Sequence, residues 1–273
     1  MTGTNTPKPT IAELLGDLAA EHAALDVVVA GLDDDGWLTP TPATGWDVRD
    51  CISHLCYFDV AAALALTAED AFETHKTELV AAMTSGQQPD VARGRAGTSP
   101  AAIVSSWRAG RTALLAAVEA AAATGHPPRI PWYGPPMSLA SFTTARLMET
   151  WAHGQDIRDA LGLEPEISSR LRHIIHIGVG ARPYSFAVHG LADPGDAVTV
   201  TATAPDGDEW TWGPHDPSAR NRVSGSALEL ALVLTQRRHL SHTAVAVSGQ
   251  VAELWMGIAQ AFAGPATLTS RDR

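Results

Sequence analysis

A glutamate and a histidine stand four residues apart in Leu147-Met148-Glu149-Thr150-Trp151-Ala152-His153-Gly154-Gln155-Asp156-Ile157. The stretch reads as helix, where positions i and i+4 lie one above the other on the same face. Glu149 and His153 are thus placed to grip one metal ion together. A third ligand must come from elsewhere, and the best candidate is His54, in Trp46-Asp47-Val48-Arg49-Asp50-Cys51-Ile52-Ser53-His54-Leu55. Two imidazoles and a carboxylate form a catalytic zinc shell with one position left for water or substrate. The same donors suit iron or nickel. Asp156, three residues past His153, is placed to orient an imidazole, and Asp50, four before His54, has a similar claim. Each feature also has an ordinary reading: a surface Glu–His pair, a core histidine, a helix-end charge. The joint occurrence of the two segments, on helices of one bundle, favours the metal.

These side chains need helices to position them. Thr10 caps a first helix that runs to Leu32, with Leu14, Leu15, Leu18, His22, Leu25 and Val29 at helical spacing. Thr44 or Asp47 caps a second, which passes through His54 to about Thr67. Ala68 to Val91 reads as helical in part. Thr98-Ser99-Pro100 opens another helix, with proline near its first turn. Ile103, Trp107, Leu114, Leu115 and Val118 form its buried stripe, and Gly125-His126-Pro127-Pro128 breaks it. Ile130 to Met137 is a loop whose Trp132 and Tyr133 read either as packing or as a pocket mouth. Ser138 caps the helix from Leu139 to about Leu161, closed by Gly162. Long helices joined by loops make a four-helix bundle the expected fold of residues 10–163. Bundles build metal sites from inward side chains on facing helices.

The pattern changes after Gly162. Ser168 to Val188 reads as one helix. Val198 to Thr203 alternates as a strand, Pro205-Asp206-Gly207-Asp208 is a turn, and Glu209 to Trp212 returns as a second strand. Gly225 to Leu234 reads as helix, Thr243 to Val247 as a short strand and Gln250 to Phe262 as the last helix. The expected fold class is therefore mostly α: a helical bundle over residues 1–163 and a smaller α+β domain over 164–273.

Thirty acidic against 19 basic side chains give a formal charge of −11. That field opposes phosphate backbones and anionic membrane surfaces, so neither nucleic acid nor membrane is expected as a partner. Met1 to Pro9 lacks the apolar core of a secretory signal. No stretch is expected to reach the length and purity of a membrane span. Cys51 and Cys56 are the only cysteines. They suggest no disulfide framework and fit a cytoplasmic setting. Their five-residue step does not align them on a helix, and both read as small buried residues. The chain has no Gly-x-Ser-x-Gly elbow, Walker loop or dinucleotide fingerprint, so no internal nucleophile is evident.

Trp46-Asp47-Val48-Arg49-Asp50 with His54-Leu55, and the Glu149 to Ile157 stretch, resemble the metal-binding domain of mycothiol-dependent maleylpyruvate isomerases. That domain belongs to the wider DinB-like group of four-helix bundles. Val198 to Ala263 is similar to the small sterol-carrier-protein-like α+β domain that follows it. The resemblance implies zinc, or another divalent transition metal, on His54, Glu149 and His153. It implies mycothiol as a co-substrate whose sulfur binds as thiolate. It also implies a functional arginine after the C-terminal helix, matched at Arg237 with Arg238 beside it. A solvated helix-end charge is the ordinary reading of both. The expected function is a metal-dependent, thiol-using isomerase or transferase acting on a small organic substrate. A metal-holding carrier or sensor, or a hydrolase with hydroxide at the free position, needs the same ligands.

Overall fold

The computed structural model describes residues 8–85, 98–124, 129–214 and 218–269. The chain divides into two compact units, Pro9–Glu166 and the remainder from Ile167.

The first unit is helical. α1 (Ile11–Ala30) begins with a reciprocal cap: Thr10 Oγ1 accepts from the Glu13 N–H, and the Glu13 carboxylate accepts from the Thr10 N–H. One turn, α2 (Asp34–Trp37), precedes α3 (Val48–Thr67), where Asp47 and Asp50 cap each other's backbone in the same way. α4 (Glu69–Thr84), α5 (Pro100–Thr124) and α6 (Leu139–Leu161) follow. Ser138 caps α6, which ends at Gly162 in the left-handed conformation, φ 66°, that glycine adopts without a Cβ clash. α1, α3, α5 and α6 pack as a four-helix bundle, and α4 lies against α3. Leu25, Val29, Ile52, Leu55, Trp107 and Ile157 meet in its core. The expected breaker Gly125-His126-Pro127-Pro128 lies outside the described residues.

One sequence expectation about this unit is corrected. By length and composition alone, α3 is long and apolar enough to cross a membrane. The apolar run Ala61-Ala62-Ala63-Leu64-Ala65 and the scarcity of charge account for it. Half of its apolar window is buried inside the protein, against bundle partners, and Asp50 and Asp59 are buried on the same helix.

Asp59 belongs to a polar cluster inside the bundle. Arg146 of α6 donates from Nε and Nη2 to Asp59 Oδ1 at 3.1 and 2.8 Å. The imidazole of His22, on α1, lies 3.6 Å from the other Asp59 oxygen. All three side chains are buried. Burial lowers the His22 pKa to about 4, opposed by Asp59 and aided by Arg111 and Arg146.

The second unit begins with α7 (Leu171–Gly180) and α8 (Arg182–Val188), two helices where one was expected over Ser168 to Val188. Pro183 has no N–H to continue a helix but is tolerated in a first turn, so the chain restarts at Arg182. β1 (Thr199–Thr203) pairs antiparallel with β2 (Glu209–Trp212) and parallel with β3 (Arg222–Ser226). β3 pairs antiparallel with β4 (Ala246–Ser248), giving the order β2-β1-β3-β4. β3 corrects the expected helix start at Gly225. Gly225 and Ser226 finish the strand, and Ser226 caps α9 (Ala227–Leu234). A Cβ on Gly225 would stand 3.0 Å from Val245 Cγ2, so glycine permits that close approach. β4 lies beyond the expected Thr243 start. α10 (Gln250–Met256) stops at Gly257, well short of Phe262. The result is a mostly α chain with a smaller α+β part.

The His22 imidazole carries a pH prediction. An unfolded chain protonates it near pH 6.5, whereas the folded protein resists until about pH 4. Stability therefore falls as pH drops through this window and levels off below it, by on the order of 3 kcal/mol. Urea unfolding across the window should show His22→Phe losing markedly less than the parent protein. Equal losses would place the acid sensitivity elsewhere.

Candidate metal centre

α3 presents His54, and α6 presents Glu149 and His153. The helices run antiparallel here: His54 of α3 meets His153 of α6, while Asp59, later in α3, pairs with Arg146, earlier in α6. One ligating atom from each of His54, Glu149 and His153 lies within 4.8 Å of the others. His153 Nε2 stands 3.6 Å from Glu149 Oε2, and the two imidazole rings are 4.7 Å apart between centroids. His153 is buried, while His54 and Glu149 are half-buried and keep a path to solvent.

These spacings fit a small cation. Donors held at 2.0–2.2 Å around tetrahedral zinc stand roughly 3.3–3.6 Å apart. The Glu149–His153 pair is already at that distance, and the wider spacing closes with side-chain shifts of about an ångström. His153 Nδ1 offers a second sign of fit. It is buried, has no hydrogen-bond partner, and lies 3.6 Å from Asp156 Oδ2. With Nε2 turned to a metal, Nδ1–H faces a fully buried carboxylate, the usual arrangement behind a ligating histidine. Asp50, the other residue with this claim, accepts from the Asp47 N–H at the start of α3.

Charge in the site is arranged to keep a carboxylate anionic. Burial raises the Glu149 pKa, but contact with His153 and the charges of His153, His54 and Arg146 outweigh it and hold the group at about 2. The thiols are differently placed. Cys51 is buried, and burial together with Asp59 pushes the Cys56 thiol up to about 11, so it stays protonated at neutral pH.

Two aromatic residues wall the centre. Trp46 stacks on His153 with centroids 5.7 Å apart and planes within 9°, and meets His54 edge-on at 5.2 Å. Phe58 packs on His54 at 4.6 Å. The sequence pattern does not single out either, although Phe58 stands at i+4 from His54, the spacing that marks Glu149 and His153. Arg237 lies in the second unit. It is buried, its Nη1 donates to the Thr235 carbonyl at 2.7 Å, and its guanidinium sits 6.0 Å from the Phe262 ring. Among the described residues, Gln236 is the one non-glycine with positive φ, at 59°, so the chain turns sharply into Arg237. Arg238 donates to the Arg237 carbonyl.

Residues 18–158 match the family model described as the mycothiol maleylpyruvate isomerase N-terminal domain. Two curated relatives, uncharacterised proteins of Mycobacterium tuberculosis strains H37Rv and CDC 1551, are each 44% identical over 259 residues. Each alignment covers 95% of this chain and 97% of the relative. A crystal structure of a mycothiol-dependent maleylpyruvate isomerase is similar with a TM-score of 0.60 and 14% identity, over 90% of this chain and 96% of that one. A histidine-to-alanine mutant of that protein gives the same values. At this identity the likeness is one of fold.

Zinc titration against a chromophoric chelator tests the centre. Asp156→Asn should weaken binding about 10–100-fold through the lost support of His153. Glu149→Ala or His54→Ala should weaken it further, with the circular dichroism spectrum unchanged. Undiminished zinc affinity in Glu149→Ala would remove the centre from consideration.

Proposed function

The chain belongs to the mycothiol maleylpyruvate isomerase N-terminal domain family, and on that footing we propose that it is a metal-dependent enzyme that uses a low-molecular-weight thiol of the mycothiol type on a small organic substrate. The observation that carries this reading is the convergence of His54, Glu149 and His153, three donors of a four-coordinate zinc shell. In the proposed enzyme these three hold a divalent metal, zinc being the best match to the donors, and Asp156 orients His153. When bound, such an ion lowers the pKa of a thiol placed beside it.

The chain's own groups support the use of an imported thiol. Glu149 remains ionised, so its oxygen is a ligand without first losing a proton. Cys56 remains a thiol, so it does not compete as nucleophile. Trp46 packs on the His153 imidazole and Phe58 on that of His54. Arg237 is proposed as the cation that meets a carboxylate of the thiol or the substrate. For an isomerisation, the thiol sulfur adds to a conjugated double bond, the resulting single bond rotates, and the sulfur leaves again. The thiol is regenerated and nothing is consumed. Transfer of the thiol is the same addition without the departure.

Calorimetry of the zinc-loaded protein with mycothiol tests this reading. Saturable binding is expected, and it should disappear when zinc is stripped. Arg237→Ala should keep its zinc while turnover of the thiol-dependent reaction falls about 10–100-fold, the range for losing a charged hydrogen bond. Zinc retention without thiol binding would point instead to a metal-holding carrier.

A further inference from the structure

α9 ends in a turn that leads directly into Arg237. The Gln236 N–H donates to the Val233 carbonyl at 3.0 Å, and the Arg237 N–H donates to the Leu232 carbonyl at 2.7 Å. This pair of bonds is a Schellman stop, in which the residue after the cap turns left-handed and is usually glycine. Here that residue is Gln236, at φ 59°. A residue with a Cβ adopts this conformation against a steric penalty, so its surroundings must hold it there.

The hold comes from a distant part of the chain. Gln236 Nε2 donates to the carbonyls of Ala259 and Thr267, both at 2.9 Å, and its Oε1 accepts from the Thr267 hydroxyl at 2.8 Å. Gln260 braces the same segment from within: its Nε2 donates to the Phe262 and Pro265 carbonyls, and its Oε1 accepts from the Thr267 N–H. Two residues of α8 pin it from the side. Ser185 Oγ accepts from the Gln260 N–H at 3.0 Å, and Tyr184 Oη accepts from the Gly264 N–H at 2.8 Å. The Ala261 N–H donates to the carbonyl of Leu234, the last residue of α9. Gln236, Gln260 and Ser185 are buried. Residues 259–267 therefore lie as a strap across the end of α9. The strap carries Phe262, whose ring is 6.0 Å from the Arg237 guanidinium, within the reach of a cation–π contact.

A glycine at position 236 would close the same turn without strain but would have no amide to bind the strap. The glutamine thus couples the strap to the residue just before Arg237, while the strap supplies the ring beside the guanidinium. We propose that Gln236 and Phe262 are positioning residues for Arg237, and that the strap presents its guanidinium to a carboxylate ligand in one orientation. An arginine ordered in advance does not lose its rotamer freedom at the moment of binding. The role of Arg237 itself rests on the thiol-enzyme reading, and the test separates the two.

The first measurement is the nitrogen heteronuclear NOE of the Arg237 Nε–H group, assigned by its loss in Arg237→Lys. In the parent protein it should match the rigid backbone amides. Gln236→Gly keeps the turn and removes the amide, and it should lower the NOE to that of a mobile side chain with the circular dichroism spectrum unchanged. Phe262→Leu should lower it too, and Phe262→Tyr, which keeps the ring, should not. Thr267→Val removes one anchor of Gln236 at an exposed position and serves if Gln236→Gly does not fold. The second measurement is mycothiol calorimetry on the same zinc-loaded samples. Gln236→Gly and Phe262→Leu should weaken binding roughly threefold to tenfold at unchanged zinc content, the range for immobilising one long side chain. Phe262→Tyr should bind as the parent does. A mobile Arg237 in the parent protein would overturn the proposal, as would an Arg237 that stays rigid in both Gln236→Gly and Phe262→Leu. Undiminished mycothiol binding by variants with a mobile Arg237 would overturn it as well. A parent protein that binds no mycothiol, yet whose rigid Arg237 loosens in the variants, sinks the thiol reading and supports the hold of the strap on Arg237.

Discussion

A buried ion pair between α3 and α6 is the constraint on which the candidate centre depends. Asp59 and Arg146 have given up nearly all of their hydration, and each is tolerable in the core only because the other is there. The pair therefore acts as a register mark. Sliding one helix past the other by a turn, about 5.4 Å, would strand two charges in an apolar interior. An aliphatic seam would tolerate such a slip far more cheaply. Held in register, antiparallel helices bring His54, five residues before Asp59, opposite Glu149 and His153, which follow Arg146. His22 adds to the constraint from α1, since its neutral ring occupies the space beside the second Asp59 oxygen.

The helices and the three converging side chains were legible because their signals are local. A capping carboxylate at Asp47, a serine at Ser138 and a glycine at Gly162 mark helix ends through bonds within a few residues. Glu149 and His153 share a face by period alone. What the sequence hid is what depends on partners far along the chain. Asp59 and Arg146 lie 87 residues apart, and nothing in either neighbourhood names the other. Gln236 and Thr267 are hidden in the same way. β3 went unseen because Arg222-Val223-Ser224-Gly225-Ser226 is short and polar, and becomes a strand only through parallel pairing with β1. The restart at Arg182 had a local signal in Pro183, but the histidines and apolar residues on both sides carried the helical pattern across it.

The same bundle handles three kinds of ionisable group in three ways. Glu149 is kept charged by the cations around it, His22 is kept neutral by burial, and Cys56 is kept protonated by burial and a nearby carboxylate. The outcome is an interior with an anion at the candidate site and, at Cys56, a sulfur held as the thiol.

The stacking of Trp46 on His153 has a spectroscopic side. An indole held face to face with an imidazole, 5.7 Å away and nearly parallel, is in range for electron transfer from its excited state whenever the imidazole is cationic. The edge contact with His54 couples it to the second ring as well. Protonation or ligation of either histidine therefore alters the emission of this one indole. The molecule carries a built-in optical gauge of its own centre, in which the brightness of Trp46 follows the charge state of the rings it covers.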